Sequence, residues 1–193
     1  MKTSHKLILA SQSPRRQQLL REMGFTFEVV VRPSEEIVPE NLSPQEVAIS
    51  IAKTKAEKYP DLSWDHIVIT ADTIVVFEGE ILGKPTSRQD ALRMLRNLSG
   101  VTHSVISGVT LLHKEKFYCF AEETKVTFRP LTEPEMGYYT DRYQPYDKAG
   151  AYGIQEWIGM IGVSAIEGDF YNVMGLPAGK LYTHLKQLTQ IEL

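Results

Sequence analysis

The chain has 193 residues, 42% of them hydrophobic, so it is long enough to bury a core without disulfide or metal staples. Its formal net charge of −3 excludes the strongly basic balance that binds polymeric DNA or RNA. The first apolar run covers only residues 7–10, which is too short for a signal peptide or a membrane span. We therefore expect a cytoplasmic protein with no membrane partner and no polymeric nucleic acid partner.

The single cysteine, Cys119, cannot form an internal disulfide. It lies in the apolar run Phe-Tyr-Cys-Phe at 117–120, so we expect a buried core thiol and not a nucleophile. A lone thiol also suits a reducing compartment.

The N-terminal third alternates predicted strands and helices. Residues 6–10 and 25–31 are rich in apolar and β-branched residues, which predicts two strands. Between them Ser13, followed by proline, predicts the start of a helix that Gly24 ends. The capping box Ser-Pro-Gln-Glu predicts a second helix over 43–59.

The middle of the chain begins with a predicted core strand over 66–70, which delivers Asp72 to its carboxyl end. A continuation over 74–77 leads to a hairpin turn at 78–79. The apolar spacing over 87–98 predicts an amphipathic helix.

The C-terminal half is richer in strands and glycine. Residues 101–127 predict an antiparallel meander of three runs, with turns at 112–116 and 122–123. Predicted helices follow over 133–141 and 180–190. No repeat or linker is present, so we expect residues 1–193 to form a single mixed α/β domain with at most two lobes.

The first chemical motif, ASQSPRR at 10–16, joins a strand to a helix. Ser11 and Ser13 lie where free N–H groups and the helix dipole favour an anion. Arg15 and Arg16 oppose that dipole unless an anion lies between them, so a phosphate chain would compensate their placement. The alternative is that both arginines are solvated or pair with glutamates of the acidic loop after residue 32.

The second motif places Asp72 at the end of a core strand, where α/β proteins hold ligands. This carboxylate could bind a metal or act as a base, with Glu35 and Glu36 as partners, because divalent cations on phosphates use one or two carboxylates plus water. A carboxylate that caps a turn is the alternative.

Lysines and one amide complete the candidates. Loops of small residues or helix ends carry Lys53, Lys55, Lys84 and Lys148. Lys84 is fixed between glycine and proline, whereas Lys53, on a helix, is expected to be solvated. The glycine-rich run 149–155 ends in Gln155, whose amide can pair with a base edge or a water. A tight strand turn would explain the same glycines.

Together these motifs resemble the Maf family of nucleoside triphosphate pyrophosphatases, related in fold to the inosine triphosphatase superfamily. The similarity spans nearly the whole chain and rests on LASQSPRR (9–16), ADT (71–73), LGKP (82–85), LSGVTH (98–103), KAGAYGIQ (148–155) and NVMGLP (172–177). The resemblance implies an elongated mixed β-sheet with flanking helices, two lobes around a central cleft, and a homodimer as a common assembly.

The run KAGAYGIQ is similar to that of members that hydrolyse dTTP and UTP to the monophosphate and pyrophosphate. Two positions depart from the family pattern: the acidic pair is Glu-Glu at 35–36 where Asp-Glu is usual, and Ser107 replaces a common threonine. The first departure leaves open whether Glu35 shares in metal binding. The resemblance implies catalytic roles for Asp72, Glu36 and Lys84, metal binding by Asp72 and Glu36, and substrate binding by Ser11, Arg15, Arg16, Lys55 and Gln155.

We expect water to attack the α-phosphorus while a cationic clamp and Mg²⁺ or Mn²⁺ neutralise the leaving pyrophosphate. Asp72 is the candidate for orienting or deprotonating the water, and Gln155 for reading the base. His103 is interpreted as a structural imidazole. One rival hypothesis is a non-enzymatic nucleotide-binding regulator of cell division, linked to septum formation. The other is a phosphate-transferring kinase or a nucleotidyltransferase, which would need the P-loop that this sequence lacks.

Overall fold

The computed structural model describes residues 1–34, 38–39 and 41–192. The chain forms two compact units. The first unit contains Met1–Asp72, Ser107–Glu122 and Gly175–Leu193, and the second contains Thr73–Ile106 and Glu123–Met174.

Strands and helices alternate along most of the chain. The strands are β1 (Lys2–Thr3), β2 (Lys6–Leu9), β3 (Phe27–Val29), β4 (His66–Phe77), β5 (Glu80–Leu82), β6 (Thr102–His113), β7 (Lys116–Phe128), β8 (Val163–Glu167) and β9 (Ile191–Glu192). The α-helices are α1 (Pro14–Glu22), α2 (Pro44–Ala56), α3 (Arg88–Leu98), α4 (Glu133–Tyr143), α5 (Trp157–Gly162), α6 (Phe170–Met174) and α7 (Ala178–Leu188), and short 3-10 helices cover Pro60–Leu62 and Ala149–Ala151.

The sheet is mixed, as predicted. Its strand order is β3-β2-β4-β6-β7-β8, and β5 pairs with β4. Strand β2 runs parallel to both β3 and β4, whereas β5 on β4 and β8 on β7 are antiparallel. The short strands β1 and β9 pair separately and antiparallel. The predicted α/β class, with a mixed sheet and flanking helices, is confirmed.

The predicted helix starts are confirmed by their caps. The Ser13 hydroxyl accepts a hydrogen bond from the Arg16 backbone at the start of α1, with proline in the first turn. At α2, Ser43 and Glu46 form the full capping box. At α3, the Ser87 hydroxyl accepts a hydrogen bond from the Asp90 backbone. None of the helices in the described part of the chain combines the length and the apolar character that a membrane span needs.

Two strand predictions are wrong in detail. Asp72 lies inside β4, which runs unbroken from His66 to Phe77, and not at the end of a strand. The predicted turn at 122–123 lies inside β7, so the meander has two long strands instead of three runs. A strand accommodates both carboxylates because Glu122 pairs with Lys180 at 3.0 Å and Glu123 accepts from Ser104 at 2.7 Å.

The prediction of a buried Cys119 is also wrong. Cys119 is exposed, whereas its neighbour Phe120 is buried. The reason is the two-residue period of a strand, which sends successive side chains of β7 to opposite faces. The thiol accepts a hydrogen bond from the Thr110 hydroxyl at 3.4 Å.

Helix α2 packs directly on β6 at a glycine. A Cβ on Gly108 would lie 2.2 Å from the carbonyl carbon of Ala48, so only glycine permits this approach of helix to strand. One turn further along, the buried Thr70 hydroxyl of β4 donates to the Ala52 carbonyl at 2.7 Å. These two contacts fix the position of the last turn of α2, which carries Lys55.

We expect Gly108→Ala to lower the free energy of unfolding by about 1–3 kcal/mol or more, because the added methyl group meets backbone atoms that cannot rotate away. Urea denaturation followed by circular dichroism measures the loss. Gly179→Ala, in α7, is the matched control, since a Cβ there meets nothing within 4 Å. A Gly108→Ala protein as stable as the control would contradict this close packing.

Candidate functional site

The serine-rich turn leaves the sheet beside the centre of β4. The parallel pairing of β2 with β4 ends at Leu9 and Ile69, and the Ala10 amide then donates to the Ile69 carbonyl at 2.9 Å. From there the chain turns into α1, while β4 continues through Ala71 and Asp72. The end of the parallel ladder therefore places residues 11–16 next to Ala71.

Arg16 links three separate segments of this region through hydrogen bonds, and we call these contacts the Arg16 brace. Its Nε donates to the Gly175 carbonyl at 2.8 Å, and its Nη1 donates to the Ala71 carbonyl at 2.9 Å and to the Ser11 hydroxyl at 3.4 Å. The half-buried guanidinium thus ties the first turn of α1 to β4 and to the glycine before α7. The alternative that Arg16 is solvated is wrong.

Ser11 and Arg15 flank this brace. The buried Ser11 hydroxyl accepts from the Ser13 amide at 3.2 Å, which closes the turn before α1. Arg15 lies in the first turn of α1 and is half-buried. An anion at this end of α1 would meet the helix N–H groups as well as the arginines.

Lys55 and Asp72 form an ion pair of 2.7 Å between Nζ and Oδ1. The two side chains are only 16% and 14% exposed. Lys55 projects from the last turn of α2, where the helix dipole favours a cation. Asp72 follows directly on Ala71, whose carbonyl binds Arg16. The structure therefore brings four predicted residues, Ser11, Arg16, Lys55 and Asp72, into one neighbourhood of the first unit.

Lys84 and Gln155 belong to the second unit. The loop that carries the exposed Lys84 joins the glycine-rich loop through a hydrogen bond of 3.1 Å from the Gly150 amide to the Gly83 carbonyl. Gly150 has a φ of 68°, and a Cβ there would lie 3.0 Å from the Val75 side chain. Two separate motifs of the sequence thus meet in one place of this unit.

The glycine-rich loop is closed by a network that the sequence analysis missed. Lys148 Nζ lies 3.0 Å from Glu156 Oε1 and 2.8 Å from Asp147 Oδ1. The Tyr139 hydroxyl donates to Glu156 Oε2 and accepts from the Gly153 amide at 3.0 Å. Burial, together with the hydrogen bond to the Glu156 carboxylate, raises the pKa of Tyr139. The signal available in the sequence was the glutamate that directly follows Gln155.

Gln155 has an unsatisfied acceptor. Its Oε1 is buried and has no hydrogen-bond partner among residues 1–34, 38–39 and 41–192. A buried acceptor without a donor costs free energy.

His103 is structural, as predicted. The imidazole is buried, shares a hydrogen bond of 2.8 Å between its Nε2 and the Tyr152 hydroxyl, and lies against the Phe128 ring. Burial lowers the pKa of His103 to about 4, so the ring is neutral at physiological pH.

The acidic partner predicted for Asp72, Glu36, lies outside the described residues, as does Glu35. Within the described part of the chain, no group of three or more histidine, cysteine or acidic side chains could hold a metal ion alone. Asp72 is the one predicted metal ligand whose position the structure gives.

Comparisons with known proteins agree with these motifs. The family described as "Maf-like protein" matches residues 6–188. Proteins named "dTTP/UTP pyrophosphatase" are similar over almost their whole length: one from Bacteroides fragilis is 50% identical over 95% of this chain and 96% of its own. Another, from Porphyromonas gingivalis, is 48% identical over 94% of each chain, and one from Parabacteroides distasonis is 50% identical over 94% of this chain and 95% of its own.

A solved structure titled "Structure of a HAM1 protein from Coxiella burnetii" covers 95% of this chain with 16% identity and a TM-score of 0.44, which is too distant to support any inference. The family match and the sequence relatives do not depend on it. On their evidence, this chain belongs to the Maf family.

Proposed function

We propose that this protein hydrolyses dTTP and UTP to the nucleoside monophosphate and pyrophosphate. The observation that carries the proposal is the Lys55–Asp72 ion pair, 2.7 Å long and largely buried beside the Arg16 brace. A polyanion needs the cations, and hydrolysis needs a carboxylate near water. Relatives that are 48–50% identical carry the name dTTP/UTP pyrophosphatase, which supports the choice of substrate.

Phosphate binding begins at α1. The amide groups of its first turn and the Arg15 guanidinium bind the triphosphate, and the Ser11 hydroxyl lines the same turn. Arg16 acts mainly as a positioning residue, because its Nε and Nη1 already hold the Gly175 and Ala71 carbonyls.

Lys55 changes partner when substrate binds. In this structure its ammonium group donates to the Asp72 carboxylate at 2.7 Å. A triphosphate carries more negative charge than one carboxylate, so it draws the ammonium group toward its own oxygens. The transfer leaves Asp72 available to accept a hydrogen bond from a water molecule.

Asp72 then orients or deprotonates this water. The water oxygen forms a bond to the α-phosphorus as the bond to the α–β bridging oxygen breaks, and pyrophosphate leaves with that oxygen. Asp72 accepts the proton of the water. Lys55 stabilises the charge that develops on the leaving group.

A divalent cation fits this site only when the substrate phosphates also bind it. Mg²⁺ and Mn²⁺ are held at phosphates by one or two carboxylates and water, and Asp72 supplies such a carboxylate. A cage made by the protein alone does not fit the described residues. We propose that Asp72, with Glu36, holds the metal together with the substrate phosphates, where the metal would neutralise phosphate charge.

Gln155 supplies base recognition in this proposal, because phosphate contacts cannot distinguish one base from another. Its buried Oε1 without a donor supports that role. We also propose that the protein is cytoplasmic and that it forms a homodimer.

A nucleotide-binding regulator would use the same cations but has no need for a carboxylate among them. The placement of Asp72 against Lys55 therefore favours the enzyme.

The reaction products test the proposal. Incubation with UTP and Mg²⁺ in ¹⁸O-labelled water, followed by ³¹P NMR and mass spectrometry, should give UMP and pyrophosphate with the label in UMP, because water attacks the α-phosphorus. Formation of UDP and orthophosphate, or no hydrolysis of either UTP or dTTP with Mg²⁺ or Mn²⁺, would refute it.

The two arginines should respond differently to the same substitution. A lysine at position 16 cannot reach the Gly175 and Ala71 carbonyls together, so we expect Arg16→Lys to lower kcat for UTP by about tenfold and also to lower the urea midpoint of unfolding. Arg15→Lys is the matched control and should mainly raise KM. Equal effects at the two positions would show that Arg16 has no separate bracing role.

A further inference from the structure

The glutamate after Gln155 is held in a fixed position by two independent contacts. Lys148 pairs with its Oε1 at 3.0 Å, and the Tyr139 hydroxyl donates to its Oε2. The Lys148 side chain is 9% exposed and that of Glu156 19%, so water competes weakly for either group. The Glu156 carboxylate is therefore a fixed negative charge at the end of the glycine-rich loop.

This charge lies beside one end of the Gln155 amide. A Cβ on Gly153 would lie 3.0 Å from both Gln155 Nε2 and Glu156 Oε2, so the amino group and the carboxylate crowd the same side of that glycine. The amino group of an amide is its hydrogen-bond donor and carries positive partial charge, whereas the oxygen is the acceptor. The carboxylate favours this orientation of the amide and repels the opposite one.

The orientation of the amide determines which base it can pair with. Uracil and thymine present an N3–H donor next to a carbonyl acceptor, and cytosine presents an N3 acceptor next to an amino donor. An amide locked in one orientation pairs with the first pattern and opposes the second in the same pose. An amide free to flip would accept both.

We infer that Glu156 is a specificity-determining residue, which holds the Gln155 amide so that Oε1 accepts from N3–H of uracil or thymine and rejects cytosine. This inference rests on the proposed function. The buried Oε1 without a donor is the acceptor that N3–H would satisfy. Because Oε1 is covered, the Gln155 side chain must rotate for a base to reach it, and the fixed carboxylate favours the same orientation of the amide after that rotation.

The test compares UTP with CTP. The measured quantity is the ratio of kcat/KM for the two triphosphates, which cancels general losses of activity. We expect the wild-type protein to prefer UTP and Glu156→Gln, which keeps the shape but removes the charge, to reduce that ratio by about tenfold. Glu133→Gln, which removes a carboxylate from the exposed ion pair with Arg96, is the control and should leave the ratio unchanged.

The outcomes distinguish failure of the inference about Glu156 from failure of the proposed function. A wild-type protein that cleaves UTP and CTP equally well, or a Glu156→Gln protein that loses both activities in proportion, overturns the inference while the proposed function stands. A wild-type protein that cleaves neither UTP nor dTTP overturns the proposed function and the inference with it. Should Glu156→Gln fail to fold, Tyr139→Phe, which removes the hydroxyl donor to Glu156, must lower the ratio, and an unchanged ratio overturns the inference.

Discussion

The ion pair between Lys55 and Asp72 is the interaction on which the rest of the site depends. Both side chains are largely buried, so each charge needs the other, and loss of one partner of such a pair typically costs about 3–5 kcal/mol. The fold brings the two together by packing α2 on Gly108 and by running β4 past the end of its parallel partner. In the proposed mechanism, bound substrate draws Lys55 away from this pair and so frees the Asp72 carboxylate.

The arginines and lysines of the two units differ in what their charges contact. Arg16 uses its guanidinium on backbone carbonyls, so its charge stabilises the scaffold of the site. Arg15, one residue earlier, sits at the amino end of α1, where an anion is favoured. In the second unit, Lys148 pairs with two carboxylates, whereas Lys84 stands in an exposed loop. A count of cations along the sequence would not separate these roles.

Features that depend only on neighbouring residues, such as the starts of helices, could be predicted from the sequence. Helices began at Ser13, Ser43 and Ser87 because caps act within one turn. Contacts between distant segments could not be predicted: nothing near Lys55 indicates that Gly108 lets α2 approach the sheet. Lys55 was one of several candidate lysines, its role came only from the family resemblance, and its bond to Asp72 only from the structure. The Tyr139–Glu156 contact joins a helix to a loop and left no periodic signal in either.

Asp72→Asn separates the role of this carboxylate in hydrolysis from its role in binding. Its single-turnover rate with UTP is measured together with its Kd for a non-hydrolysable UTP analogue. Asp61→Asn, which removes a carboxylate from the exposed ion pair with Arg32 in the same unit, serves as control. We expect a loss of rate of at least about a hundredfold with analogue binding retained, because an amide cannot accept the proton of the attacking water. A rate equal to that of the control would contradict this role of Asp72.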